Sequence, residues 1–117
     1  MMRKGDLEFG DVVWVDFYPS VGHEFQNKRP AVVVQSNEQL KKSNLVTIVP
    51  LTSNTGNTTP DDIMITKDFD NNLSSDSIAK VYCITSFDYF RFDKKIGKIN
   101  ADISIAIKSY LKKHFDF

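Results

Sequence analysis

The sequence is poor in the features that most readily sort a chain into a class. It has one cysteine, Cys83, among 117 residues, so it can form no internal disulfide and is expected in a reducing cytoplasm. Net charge is missing, since fifteen Lys and Arg balance fifteen Asp and Glu. That balance excludes a blanket of positive field as the means of attracting nucleic acid, so any contact with a polyanion must be local. The longest apolar runs, Ala31 to Val34 and Leu45 to Val49, fall far short of the roughly 20 residues that span a bilayer, and no membrane contact is expected. The opening Met-Met-Arg-Lys-Gly-Asp-Leu-Glu is charged and lacks the apolar core of a secretory signal. Two histidines stand 91 positions apart and Asp61-Asp62 has no companion motif. With no metal-ligand spacing in the chain, no metal and no other cofactor is expected.

What is present is an ordinary globular composition, 41% hydrophobic and 26% charged, which suits one domain over residues 1–117. The neutrality is an average. Residues 1–43 hold six basic and six acidic side chains, residues 44–85 two and five, and residues 86–117 seven and four. Short β-branched runs between Gly and Pro breaks read as strands: Asp11 to Phe17, Ala31 to Gln35 and Leu45 to Val49, with weaker candidates at Asp62 to Thr66, Ser77 to Ile84 and Lys95 to Ile99. Alternation in the first places Trp14 and Asp16 on one face and Val13, Val15 and Phe17 on the other. Strands so spaced suggest a small, strongly bent antiparallel barrel or sandwich. The tail changes period: Ile103, Ala106, Ile107, Tyr110, Leu111 and Phe115 recur at three and four residues, behind Asn100 as an N-cap. That predicts a closing amphipathic helix with Lys108, Lys112 and Lys113 largely off the apolar stripe.

The informative segment is the polar connection from Tyr18 to Arg29, which gathers His, Glu, Gln, Lys and Arg between two strands. Loops of twelve residues in so small a domain are usually functional. Arg29 precedes Pro30, which biases its backbone toward the extended region at the mouth of a strand. A guanidinium held there offers planar donors matched to a phosphoryl group. Spacing alone equally allows Arg29 to staple the loop by pairing with Glu24. Aromatic Phe17, Tyr18 and Phe25 flank the loop, and Lys28 stands beside Arg29 as a second cation. Phe87, Tyr89, Phe90 and Phe92 read as core or interface, and Cys83 as an inert small hydrophobe.

Gly-Asp-Val-Val-Trp-Val-Asp-Phe17, then Pro19, Val21-Gly-His-Glu24 and Lys28-Arg-Pro-Ala-Val-Val-Val34 resemble the amino-terminal signature of the MazF/PemK-type toxins of bacterial toxin-antitoxin systems. The resemblance runs from Gly10 to Gln35, continues through Leu45 to Ser53, and stays in register to the end, including Asp76-Ser-Ile-Ala-Lys80. It implies a mainly β fold with helices, an SH3-like β-barrel with a carboxyl-terminal amphipathic helix, assembled as a homodimer. It implies a metal-independent, sequence-selective endoribonuclease on single-stranded mRNA, neutralised by a cognate antitoxin and meeting DNA only through that antitoxin.

Position by position, Arg29 matches the family's catalytic arginine, Thr52 the hydroxyl residue ending the third strand, and Glu24 the loop acid. His23 stands where the family usually has a small hydroxyl residue, Gln26 lies near the family's loop glutamine, and Cys83 replaces a glutamine. Metal-free RNA cleavage uses the neighbouring 2′-hydroxyl as nucleophile, leaving a 2′,3′-cyclic phosphate or 3′-phosphate and a 5′-hydroxyl end. It needs a proton acceptor, a donor to the leaving oxygen, and donors on the developing phosphoryl charge. Arg29 would clamp the phosphate, Thr52 would hydrogen-bond it, and Glu24 or His23 would take the 2′-proton. Lys28, Gln26, Ser53, Phe17 and Tyr18 would hold substrate. The antitoxin segment competing for this groove should be acidic. Two other readings stay open: a same-fold toxin that binds DNA gyrase, and a catalytically degenerate relative that only binds RNA or antitoxin.

Overall fold

The computed structural model describes residues 2–17, 28–56 and 58–117. The strong β-branched runs form Asp11–Asp16 (β1), Lys28–Val33 (β2) and Leu45–Thr52 (β3). Shorter strands follow at Ile63–Ile65 (β4), Ser77–Ala79 (β5) and Thr85–Asp88 (β6), then Phe92–Lys98 (β7). Two helices complete the chain, Asn37–Lys42 (α1) and Ala101–Phe115 (α2). The sheet is antiparallel, in the order β4-β5-β3-β2-β1-β7, with β6 paired to β3. A mainly β fold closed by a carboxyl-terminal helix is thus what the sequence forms.

β3 is the hub. One edge pairs with β2, from Val33 opposite Ile48 to Ala31 opposite Pro50. The other edge is divided, with β6 on Leu45 to Ile48 and β5 on Leu51 and Thr52. Pro50 was expected to end this strand, yet the strand runs through it to Thr52. The Pro50 carbonyl accepts from the Lys80 N–H at 3.1 Å, so the missing Pro N–H lies on the edge where the ladder passes from β6 to β5. No ladder bond is lost there.

Alternation distributes apolar residues to both faces. Val13, Val15, Phe17, Ala31, Val33, Val46 and Ile48 pack one core with Leu40, Tyr89 and Phe92. Val12, Val32, Val49, Leu51 and Ile65 pack the other, against Ile107 of α2. The Asn100 side chain accepts from the Ile103 N–H at 2.9 Å, the predicted cap. Ile103, Tyr110 and Leu111 lean on the same core, but Phe115, the last member of the stripe, is 47% exposed.

The structure departs from the sequence pattern in three elements. The run from Ser77 to Ile84 is not one strand: it breaks after Ala79 into a 3-10 turn at Val81–Cys83, where the Cys83 N–H donates to the Lys80 carbonyl at 2.9 Å and the Ile84 N–H to the Val81 carbonyl at 3.1 Å. Neither α1 nor β6 was foreseen. α1 is six residues long with only Leu40 buried, too short for a helical period to register. Of the two places expected for Phe90, core or interface, its 71% exposure excludes the core.

β7 carries two extra residues. Val12 faces Gly97 but Val13 faces Lys95, and Trp14 faces Lys94 but Val15 faces Phe92, so Ile96 and Asp93 are bulged. Gly97 lies against residues 70–71, where an added Cβ would collide with the carbonyl oxygens of Asp70 and Asn71. No side chain fits at that approach.

Candidate functional site

The start of β2 and the end of β3 meet at one end of the sheet. Continued two residues past Ala31–Pro50, the β2–β3 register places Arg29 opposite Thr52. Both line a cleft of about 730 Å³ together with Lys28, Ser53, Trp14 and Lys94. Of the nine residues singled out in the sequence, Lys28, Arg29, Thr52 and Ser53 therefore gather around one hollow. His23, Glu24, Gln26 and Tyr18 lie outside the described residues.

Phe17 is a correction. It is 5% exposed and packs edge-to-face on Phe87, ring centroids 5.2 Å apart, within the first core. A ring so enclosed has no face for a base, and the alternation that puts it with Val13 and Val15 is the reason.

The polar groups in the cleft are oriented. The Thr52 hydroxyl oxygen accepts from the Asn54 N–H at 3.2 Å, which turns the hydroxyl proton toward another acceptor. Arg29, half-buried on the second residue of β2, is held in the extended backbone that Pro30 requires. Lys28 pairs with Asp93 at 3.0 Å at the exposed rim. A hydrogen bond to Asp93, with its charge, holds the Lys28 ammonium above its ordinary pKa, so this lysine stays a cation.

Sequence reasoning missed Lys94, Trp14 and the residues between β4 and β5 that form the far wall, Asn72 among them. Trp14 was readable, since alternation already sets it on the face opposite Val13 and Val15. Lys94 was not. The bulge at Ile96 makes Lys94, rather than Lys95, the partner of Trp14 and brings its ammonium to the cleft side. Among the described residues lining the cleft, three are cations and none is a carboxylate. A neutral chain thus concentrates positive charge at one place, where a polyanion would be attracted.

Cys83 does not join the cleft lining. Burial raises its thiol pKa against the opposing charge of Lys80, which leaves it protonated and a poor nucleophile. Among the described residues, no three His, Cys, Asp or Glu side chains cluster so as to hold a metal ion, and no helix is long and apolar enough to cross a membrane.

Comparison with known proteins supports the fold and places the chain in a family. Residues 8–115 match the model of the family described as PemK-like, MazF-like toxin of type II toxin-antitoxin system. A curated relative, Endoribonuclease MazF9 of Mycobacterium tuberculosis, is 32% identical over 99% of this chain and 98% of its own length. Endoribonuclease PemK of Escherichia coli is 37% identical over 44% of this chain and 38% of its own. Among solved structures, MazF from Deinococcus radiodurans superposes with a TM-score of 0.81 at 21% identity, covering 95% of this chain and 97% of that one. A mycobacterial endoribonuclease, solved in complex with its cognate antitoxin, gives 0.75 at 15% identity over 99% of this chain and 97% of that one. With residues 8–115 of its 117 matched by the family model and a relative above 30% identity covered nearly end to end, the chain belongs to the PemK-like, MazF-like toxins of type II toxin-antitoxin systems.

Proposed function

We propose that this toxin is a sequence-selective endoribonuclease that cuts single-stranded RNA in the Arg29–Thr52 cleft by attack of the neighbouring 2′-hydroxyl. The observation that carries this reading is the convergence of Arg29, Thr52, Lys28 and Lys94 on one cleft with no carboxylate in its described lining. Charge develops on the phosphoryl oxygens in the transition state. A fixed guanidinium and an oriented hydroxyl meet that charge without reorganising. Arg29 donates to the non-bridging oxygens, and Thr52, its oxygen already engaged by the Asn54 N–H, donates its proton to the same phosphate. Lys28 and Lys94 take the flanking phosphates. Glu24 or His23 accepts the 2′-proton, the P–O5′ bond breaks as the 2′-oxygen bonds to phosphorus, and the leaving 5′-oxygen takes a proton from the Arg29 guanidinium, which water then reprotonates. The products are a 2′,3′-cyclic phosphate, or the 3′-phosphate from its hydrolysis, and a 5′-hydroxyl end.

Relatives named as endoribonucleases, one of them solved with its cognate antitoxin, support a toxin of the same activity restrained by an antitoxin; in this reading it works in the cytoplasm as a homodimer. The inhibitory segment of that partner is acidic, since it competes with RNA for the same cations, and DNA is reached only through it. The purified protein incubated with long single-stranded RNA in EDTA, with primer extension across the products, tests activity and selectivity together. Discrete cuts with 5′-hydroxyl ends, lost in Arg29→Ala, are expected. Binding without any cut on diverse RNAs would instead identify a degenerate relative.

A further inference from the structure

The cleft has two unlike walls, and the chemistry above uses only one. The strands supply cations, whereas the loop between β4 and β5 supplies the neutral polar groups of Asn72, Ser74 and Ser75, all exposed.

That loop is built as a rigid part. The Asp68 carboxylate accepts from the N–H groups of Asp70 and Asn71 at 2.9 and 2.7 Å. Asn71, 2% exposed, accepts from Asp68 and Leu73 N–H at 3.0 Å each and donates to the Thr66 carbonyl at 2.9 Å. Asp76 closes the base by accepting the Lys67 N–H at 2.9 Å. Leu73 anchors the tip in the second core. The loop is then fastened to β7, where the Lys98 N–H donates to the Asp70 carbonyl at 2.9 Å beside Gly97.

Asn72 itself is in the left-handed region at φ 54, and its amide nitrogen donates to the Ile96 carbonyl at 2.8 Å. With one N–H held by the bulge, the amide keeps its oxygen as an acceptor and its second N–H as a donor for the cleft. Polar groups fixed in advance lose little entropy on meeting a ligand. Neutral hydrogen-bonding groups opposite a row of cations match the two sides of a single strand, backbone and base edges.

We propose that the β4–β5 loop is the base-reading wall of the cleft. RNA lies with its phosphates along Lys28, Arg29 and Lys94 and turns a base edge to Asn72, Ser74 and Ser75, which choose among bases by hydrogen bonding. The substrate class in this proposal rests on the ribonuclease reading.

The test is fluorescence anisotropy with uncleavable 2′-O-methyl RNA oligonucleotides that differ at single bases, so that binding is read without turnover. Asn72→Gly deletes the amide yet keeps a residue at ease with positive φ. A second variant, Ser74→Ala with Ser75→Ala, leaves the Asn72 anchor intact, and a thermal melt checks that both fold. Each variant is expected to narrow the spread between best and worst sequences by about tenfold, the worth of one or two hydrogen bonds. Lys94→Ala, by contrast, weakens every sequence alike. An unchanged spread, a uniform loss of affinity in both loop variants, or a wild type that binds all sequences equally overturns the proposal. A wild type that ranks these oligonucleotides in binding but leaves the unmodified RNAs of the same sequences uncut overturns the ribonuclease reading and leaves the wall standing.

Discussion

Two lysine–aspartate pairs of similar length sit at opposite ends of the burial scale. Lys80 and Asp62 meet at 2.7 Å with side chains 16% and 2% exposed, while Lys28 and Asp93 meet at 3.0 Å with 52% and 53%. Burial pushes the Asp62 carboxyl up, but hydrogen bonds from Lys80, from the Thr59 N–H and from Tyr82, with the Lys80 charge, outweigh it and bring it below its usual pKa. The hydrogen bond to Asp62 likewise raises Lys80 against the effect of burial. Separating the buried pair strands a charge away from water, whereas the exposed pair is screened and readily replaced. Near-identical geometry thus serves two ends: one pair binds β4 to the turn after β5, and the other holds a cation at the cleft rim.

The sharpest separation of cleft from frame comes from Arg29→Ala. Cleavage is expected to fall by about 10³-fold, as when a preorganised donor to a developing oxyanion is removed. Single-turnover rates measured beside a thermal melt check this, and a rate within tenfold of wild type would move the chemistry elsewhere.

Lys80→Ala acts on the other side of the comparison. Leaving Asp62 buried without its cation should lower the unfolding free energy by about 3 kcal/mol in urea melts, with cleavage per folded molecule unchanged. The pH dependence carries a sign. Because the folded Asp62 pKa is depressed, its contribution is present above the ordinary carboxylate range near 4 and is lost as pH falls through the folded value. Lys80, raised, contributes below about 10.4 and loses that contribution as pH rises through its folded value. The gap between wild type and Lys80→Ala should therefore be flat from about pH 5 to 9 and close toward acid. A gap that widens on acidification would contradict the pairing.

Thr52→Val removes one neutral donor while keeping the shape of the side chain, and about a tenfold loss in cleavage is expected. The smallest effect belongs to Asp93→Asn. Freeing Lys28 should tighten RNA binding severalfold at low salt and steepen its salt dependence, with no change in melting temperature. If stability fell as much as in Lys80→Ala, the distinction between the two pairs would collapse.

Local pattern carried much of the fold. Val13, Val15 and Phe17 alternate into one core because a strand has period two, and Asn100 caps α2 because its side chain reaches the Ile103 N–H within one turn. The β6 strand, Thr85–Asp88, lacks a continuous apolar run and is half-buried at alternate positions, so only pairing with Leu45 to Ile48 makes it a strand. The same limit applies to the site. Arg29-Pro30 and Val49-Pro-Leu-Thr52 are contiguous motifs, legible as they stand, and the β2–β3 register then brings their ends together. Asn72 and Ser74, in a run that reads as an ordinary polar connection, reveal a wall only once Gly97 allows the loop to close on β7.

By itself, the sequence determined the main strands β1, β2 and β3 and the last helix, which of their faces are apolar, and that positive charge must be focused rather than spread. These follow from residues within a few positions of one another. Tertiary structure alone decided that Lys94 rather than Lys95 faces the cleft, that Pro50 sits harmlessly inside β3, and that residues 68–76 stand opposite the cations. Those outcomes depend on strand register, on bulges and on contacts between residues more than twenty positions apart, such as Asn72 with Ile96, and no local pattern encodes a partner at that distance.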